Sequence, residues 1–353
     1  MIHLALIALG TLGGTVAKLL GLPLPYIIGS LLAVAIYVQT CEALGARAAR
    51  ISLPDGFKFN EKFRALFIAV VGMAIGSQVT WEVILGIPAA IPSFIGLTLF
   101  VPAAFWMNYQ IFHRIGGYDR ATAFYSGSPG GLYESIAFGE MYGADMRLLM
   151  LAQFLRIIIV VTLLPIGLSF HVGHPVGSSG GMSFSPQGVG IEHIPFAILT
   201  AMTGLFLGVR LKFPAPQLVG PLVAGAVVSV LGLANLDMPA WVINAAQLVI
   251  GTTLGTRFSG IRPGMLVRGA GLGLLSVGAM LVLGGLMAIV LIPLTGETFD
   301  VLLISFAPGG VTEMALVALS LNANPAFVTM HHLYRIILTV VVIVRMSARQ
   351  GKS

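Results

Sequence analysis

Ser128-Pro129-Gly130-Gly131-Leu132-Tyr133-Glu134 returns 179 residues later as Ala307-Pro308-Gly309-Gly310-Val311-Thr312-Glu313. Each copy sits in the middle of an apolar segment. Pro-Gly-Gly breaks a helix there, because proline lacks a donor and clashes with the preceding turn while glycine is entropically costly to hold in a helix. Other matches lie around the two copies in the same order. Leu155-Arg156-Ile157-Ile158 corresponds to Tyr334-Arg335-Ile336-Ile337, Ala144-Asp145 to Ala323-Asn324, and Gly72 and Gly76 to Gly251 and Gly255, all at the 179-residue spacing. With a different loop length, Leu22-Pro23-Leu24-Pro25 and Gly29 correspond to Phe213-Pro214-Ala215-Pro216 and Gly220. An ordered series of motifs at one period is the mark of a duplicated chain.

The rest of the chain says where such a duplication lives. Of its 353 residues only 9% are charged, against 57% hydrophobic, and the mean hydropathy is +0.97. Roughly a quarter of a soluble domain is charged, so this chain cannot cover a water-facing surface. Apolar runs near 20 residues, the length that crosses a bilayer as a helix, recur throughout. The 44 glycines and 19 prolines suit membrane helices, where small residues let backbones approach. The net charge of +6 arises from basic residues lying between apolar runs, which makes them topology signals and not a nucleic-acid surface. The single cysteine, Cys41, excludes an internal disulfide and a multi-cysteine metal site. The first run, Ile2 to Leu20, lacks a basic leader and reads as a first membrane helix, not a cleaved signal peptide.

Six apolar segments per half are expected: 2–20, 22–40, 63–80, 83–108, 120–143 and 147–169, then 191–209, 215–233, 240–256, 265–293, 298–321 and 325–346. Basic residues mark the cytoplasmic side. The loop before the third segment carries Arg47, Arg50, Lys58, Lys62 and Arg64 in the first half, but only Asp237 in the second. The loop after the third segment carries Glu82 in the first half and Arg257, Arg262 and Arg268 in the second. The next carries Arg114 and Arg120, against Glu297 and Asp300. Every comparison changes sign. The reading is an all-α polytopic membrane protein of two inverted-topology repeats, residues 1–170 and 191–353, joined by an external Gly/Ser-rich linker at 171–190. Inversion needs an odd number of crossings, so each repeat has five, and its Pro-Gly-Gly segment is a re-entrant or broken helix.

Non-helical backbone at membrane depth is tolerated only where it is buried in protein or lines a cavity. Broken helices of this kind expose free N–H groups and partial charges to a ligand. The candidate substrate-binding residues are therefore Pro129, Gly130, Gly131, Glu134 and Arg156 of the first repeat, with Pro308, Gly309, Gly310, Glu313 and Arg335 of the second. Charge at the depth of Arg156 and Arg335 marks either a pathway or a pair. Each arginine either pairs with the glutamate of its own half, or binds an anionic group while a glutamate couples to an ion. His331 and His332, beside Arg335, are candidates for packing or for a proton relay. His171-x-x-His174 could bind a metal only with ligands that do not stand near it in the sequence. The seven scattered histidines argue against an oxidative metal centre; neither an enzymatic activity nor a cofactor is expected.

Gly21-Leu22-Pro23-Leu24-Pro25-Tyr26-Ile27-Ile28-Gly29, the two Pro-Gly-Gly blocks through Glu134 and Ala315, and His331-His332-Leu333-Tyr334-Arg335 resemble the AbrB family of bacterial integral membrane proteins over nearly the whole chain. That family carries three labels: ammonia monooxygenase, regulator of gene expression, and transporter. The resemblance implies a fold similar to inverted-repeat carriers of organic anions, by fold-level analogy. The expectation is a secondary transporter of a small anionic solute in the bacterial inner (cytoplasmic) membrane, multi-pass, with both termini cytoplasmic. The alternatives are a membrane component that affects gene expression through a partner or a solute level, and a membrane monooxygenase. Expected partners are the lipid bilayer, the solute, a coupling H+ or Na+ and, as an option, a second copy in a homodimer; nucleic acid is not among them. Ser135 against Met314, and Gln153 against His332, distinguish the halves.

Overall fold

The computed structural model describes residues 2–22, 24–44, 53, 57, 59–85, 87–173, 191–213, 215–259, 261, 263–321 and 324–350. The expected linker beyond Gly173, and the basic positions Arg47, Arg50 and Lys58, lie outside the described residues, as does His174 of the His-x-x-His pair.

All the regular structure among the described residues is helical. The first repeat contains α1 (Ile2–Leu19), α2 (Pro25–Leu44), α3 (Glu61–Gly76), the short α4 (Trp81–Leu85), α5 (Ile91–Gln110), α6 (Arg120–Ser126), α7 (Leu132–Met141) and α8 (Met146–Val172). The second contains α9 (Ile194–Arg210), α10 (Pro216–Val230), α11 (Ala240–Thr256), α12 (Pro263–Thr295), α13 (Phe299–Phe306), α14 (Val311–Ser320) and α15 (Pro325–Gln350). Six of these helices are long and apolar enough to cross a membrane: α1, α2, α5 with its continuation to Ile115, α8, α12 and α15. Their outer faces stay apolar. Leu4 and Leu12 on α1, Phe196 and Phe206 on α9, and Val282 and Val290 on α12 are all exposed. Helices that are apolar even where they face outward belong in lipid, and the chain is a multi-pass membrane protein.

Local chemistry sets the helix ends. Asn60 caps α3, its side chain accepting from Phe63 N at 3.1 Å, and Asp119 caps α6 through Thr122 N at 2.9 Å. Pro25 and Pro216 open α2 and α10, where a missing N–H costs nothing. The residues just before them, Leu24 and Ala215, hold φ of 44° and 45°, while Pro23 and Pro214 lie outside the described residues.

The chain forms two compact units. The first comprises residues 1–86, 164–263 and 315–326; the second comprises 87–163, 264–314 and 327–353. In the first unit, glycines let helices touch backbone to backbone. A Cβ on Gly72 or Gly76 of α3 would collide with the carbonyl of Leu218 or Leu222 on α10. A Cβ on Gly251 would collide with the carbonyl of Ile27 on α2, and one on Gly255 would come within 2.7 Å of that of Leu31. Leu218 and Leu222 lie 191 residues after Ile27 and Leu31. The third helix of each repeat thus packs on the second helix of the other, at matching residues. Gly13 against Gly29, and Gly204 against Gly220, join the first and second helices of each repeat at the same 191-residue offset. The two crossings thus match residue for residue. Hydrogen bonds finish these seams: Gln39 Nε2 donates to Phe258 O at 3.0 Å and Ser229 Oγ to Ser77 O at 2.8 Å.

In the second unit α5 packs against α12 and α13. Gly96 lies against Leu291 and Phe306, and Phe100 meets Phe306 edge-on at 5.4 Å. Asn108, on the last turn of α5, donates to Gly127 O at 3.1 Å and accepts from Ser276 Oγ of α12 at 2.8 Å.

These contacts make glycine at the α3–α10 crossing a packing requirement. Gly76→Val should destabilise the detergent-purified protein by about 3 kcal/mol, the upper range for overpacking. Gly271→Ala on α12, where nothing lies within 4 Å of an added Cβ, should be neutral or stabilising by up to about 1 kcal/mol. Paired thermal-melting curves check both.

Candidate functional site

Both copies of the Pro-Gly-Gly motif fall where helices stop. The first break runs from Gly127 to Gly131, between α6 and α7, and the second from Ala307 to Gly310, between α13 and α14. The flanking helices have 7, 10, 8 and 10 residues. At about 1.5 Å per residue none exceeds half of a roughly 30 Å hydrocarbon core. A helix end leaves its last four carbonyls without partners, and lipid supplies none. The next long helix of each repeat supplies them instead.

Gln153 Nε2 on α8 donates to Tyr125 O at 2.8 Å and lies 3.2 Å from Ser126 O and 3.0 Å from Ser128 Oγ. One turn on, Arg156 Nη1 donates to Ser128 O. In the second repeat His332 Nε2 lies 2.9 Å from Ile304 O. That acceptor requires the proton on Nε2. Arg335 Nη1 donates to Ala307 O, and its Nη2 to Gly309 O at 2.7 Å. Donors and acceptors correspond at the 179-residue offset: 153 with 332, 125 with 304, 156 with 335, 128 with 307. Gln153 and His332 differ in sequence yet make the same bond.

The glutamates do not pair with the arginines. Among the described residues no carboxylate lies within 4.0 Å of either guanidinium. Glu134 and Glu313 instead fold back onto the glycines just before their own helices, Gly131 and Gly310. This is the N3 position from which a glutamate serves the helix start. Gly131 caps α7 at φ 59°, a left-handed conformation that glycine adopts without strain.

Two cations are thus buried with only carbonyls as partners. Arg156 is 5% exposed and Arg335 1%. Among the described residues, Nε of each has no hydrogen-bond partner, nor have Ser126 Oγ, Gln153 Oε1, His332 Nδ1 and Thr339 Oγ1. The structure also brings the repeats together here. A Cβ on Gly130 would stand 3.2 Å from Thr339 Oγ1 and 3.4 Å from Arg335 Nε, so the first break lies against α15 of the second repeat. Gly309 faces Met314, which fills the position of Ser135, whose hydroxyl bonds Ser128 Oγ at 2.6 Å. Of the ten candidate residues, Gly130 and Gly131 lie beside Arg335 and Thr339 of α15; Arg156 holds the first break, of which Pro129 is part, and Pro308, Gly309 and Gly310 form the second. Thr339 and Gln153 were not among the candidates. Their spacing from the arginine, one turn to either side, was the signal available.

A cavity of about 180 Å³ lies elsewhere in the same unit, where α12 and α8 begin, lined by Gly116, Tyr118, Leu148, Met265 and Arg268. Burial pushes the Tyr118 phenol up, with Arg268 opposing and Asp145 adding to the effect.

Multiple apolar helices and two broken ones, each held by a long helix through a buried arginine, define a polytopic helical membrane protein with a polar centre built in duplicate. The sequence profile described as "AbrB: Transition state regulatory protein AbrB" matches residues 41–350, and the chain belongs to that family. A Bacillus subtilis (strain 168) protein named "Uncharacterized protein YhjN" is 27% identical over 353 residues, covering 95% of this chain and 89% of the relative. An Escherichia coli (strain K12) protein named "Putative regulator AbrB" is 24% identical over 268 residues, covering 74% of each.

Gln153→Leu removes the donor for the end of α6 and should destabilise the protein by about 1–3 kcal/mol. Gln153→His, which installs the second repeat's residue, should recover most of that loss. The melting temperatures of both variants against wild type test the equivalence.

Proposed function

We propose that the protein is a secondary transporter of a small anionic solute, bound between the two Pro-Gly-Gly segments near the membrane midplane. The observation that carries this reading is the meeting of Gly130, Arg335 and Thr339: bare backbone, a buried cation without a carboxylate partner, and an unpartnered hydroxyl. A buried positive charge calls for a compensating negative one, and a solute anion supplies it. Inverted repeats with five crossings each, both termini cytoplasmic, in a bacterial inner membrane, fit the reciprocal contacts of the first unit and the sign reversal of the loops. The coupling ion is H+ or Na+. No chemical step is needed, so the protein is not an enzyme. The regulatory wording of the family description and of the Escherichia coli relative is accommodated if a change in solute level alters gene expression.

A thermal-shift screen on the purified protein tests the reading, using organic acids, amino acids, inorganic anions and ammonium. A ligand at 100 times its dissociation constant stabilises the native state by about 2.7 kcal/mol. An anion should raise the melting temperature of wild type but not of Arg335→Gln, and should act weakly on Thr339→Val. Flux of that anion into proteoliposomes should follow the same order. Stabilisation by no anion, or equal stabilisation of Arg335→Gln, overturns the assignment.

A further inference from the structure

One turn before Arg335, α15 presents a histidine whose hydrogen bonds do not close with the protons of a neutral ring. We propose that His331 is a proton-binding site, and that its occupancy is what couples H+ to the solute. The coupling role rests on the transporter reading; proton binding itself rests on geometry alone.

His331 is fully buried, and both its nitrogens are engaged. Nδ1 lies 2.8 Å from Phe327 O, an acceptor only, so a hydrogen bond there needs a proton on Nδ1. Nε2 lies 2.7 Å from Ser93 Oγ on α5. Ser93 Oγ is also 2.6 Å from Ala90 O, another acceptor, but a hydroxyl has one proton to give. If Ser93 donates to Nε2, the ring is neutral and two oxygens face each other at 2.6 Å with no proton between them. If Ser93 donates to Ala90 O, Nε2 must bring its own proton, and every contact is satisfied by an imidazolium. One proton arrives on Nε2, the serine proton stays on its oxygen, and the hydroxyl turns from ring to carbonyl.

Burying that charge needs compensation, and the ring has it on both faces. Phe94 stacks on one side at 4.3 Å and 11°, and Phe327 on the other at 4.1 Å and 28°. Aromatic faces attract a cation, most strongly where water is absent. The titratable neighbours on α15 are His332, Tyr334 and Arg335. From α5 the contacts come through Ser93 and Phe94, and that helix holds no acid or base except Tyr109, four turns away. α13, bonded to His332 through Ile304, contributes Asp300 at its start. Among the described residues no carboxylate lies within 4.0 Å of the His331 ring. Arg335, four residues along the same face, opposes a charge on His331 until an anion sits beside the arginine. Each then favours the other, as reciprocal coupling requires, and the sign is that of proton–anion symport.

The test is a pH titration of protein labelled with 15N-histidine, in lipid nanodiscs without solute. The His331 resonance is identified by its loss in His331→Gln. An imidazolium signature should appear between pH 8 and 5. Its midpoint should fall by about one pH unit, a tenfold weaker proton affinity, in Ser93→Ala and in Phe94→Leu, with the other histidine signals unmoved to show intact folding. A ring that stays neutral down to pH 5, or a midpoint identical in wild type and both variants, overturns the proposal. No solute enters this measurement, so a failed flux assay would overturn the transporter reading and leave the proton site standing.

Discussion

Backbone groups in hydrocarbon must find partners inside the protein, and the two broken helices make that constraint acute. Stopping a helix at Pro-Gly-Gly frees carbonyls where water is absent, each costing several kcal/mol if left alone. Gln153 with Arg156, and His332 with Arg335, meet that need from the adjoining helix. The break and the long polar side chains therefore require each other: without the donors the break would be too costly, and without the break a buried guanidinium would have nothing to bond. The rest of the second unit follows, since α8 and α15 must lie alongside the breaks they satisfy.

The first unit answers a different constraint. Lipid gives apolar helices no hydrophobic reason to associate, so close backbone contact has to supply the attraction. Gly72, Gly76, Gly251 and Gly255 provide it by seating each third helix on the opposite repeat's second helix. Within the first unit the exchange joins the opening helices of both halves at two matching places.

The two Pro-Gly-Gly copies differ in a way that matters for the proposed site. Met314 occupies the position of Ser135 and packs on Gly309, while Gly130 stays open to Arg335 and Thr339. The polar centre is unequal in its two halves. A solute anion at Arg335 and a proton at His331, one turn apart on one helix, would place solute and coupling ion in electrostatic contact without a moving relay between them.

The sequence by itself determined the helices and the two Pro-Gly-Gly copies 179 residues apart. The twelve expected segments correspond to the helices within a few residues, because apolar length, Pro-Gly-Gly and the loop charges are local properties. It also placed the arginines at the breaks. It left open whether they pair with Glu134 and Glu313, and tertiary structure decided that: carbonyls freed by the break are nearer and more numerous partners, and the glutamates lie against the glycines at their own helix starts. It likewise set Gln153 apart from His332, which prove to be equivalent, because what the site requires is an N–H at a given point and two different side chains can deliver one. Ser93 and Thr339 carried no pattern of their own. They count only because α5 and the first break are folded against α15, and no spacing along the chain reports which helices will be neighbours.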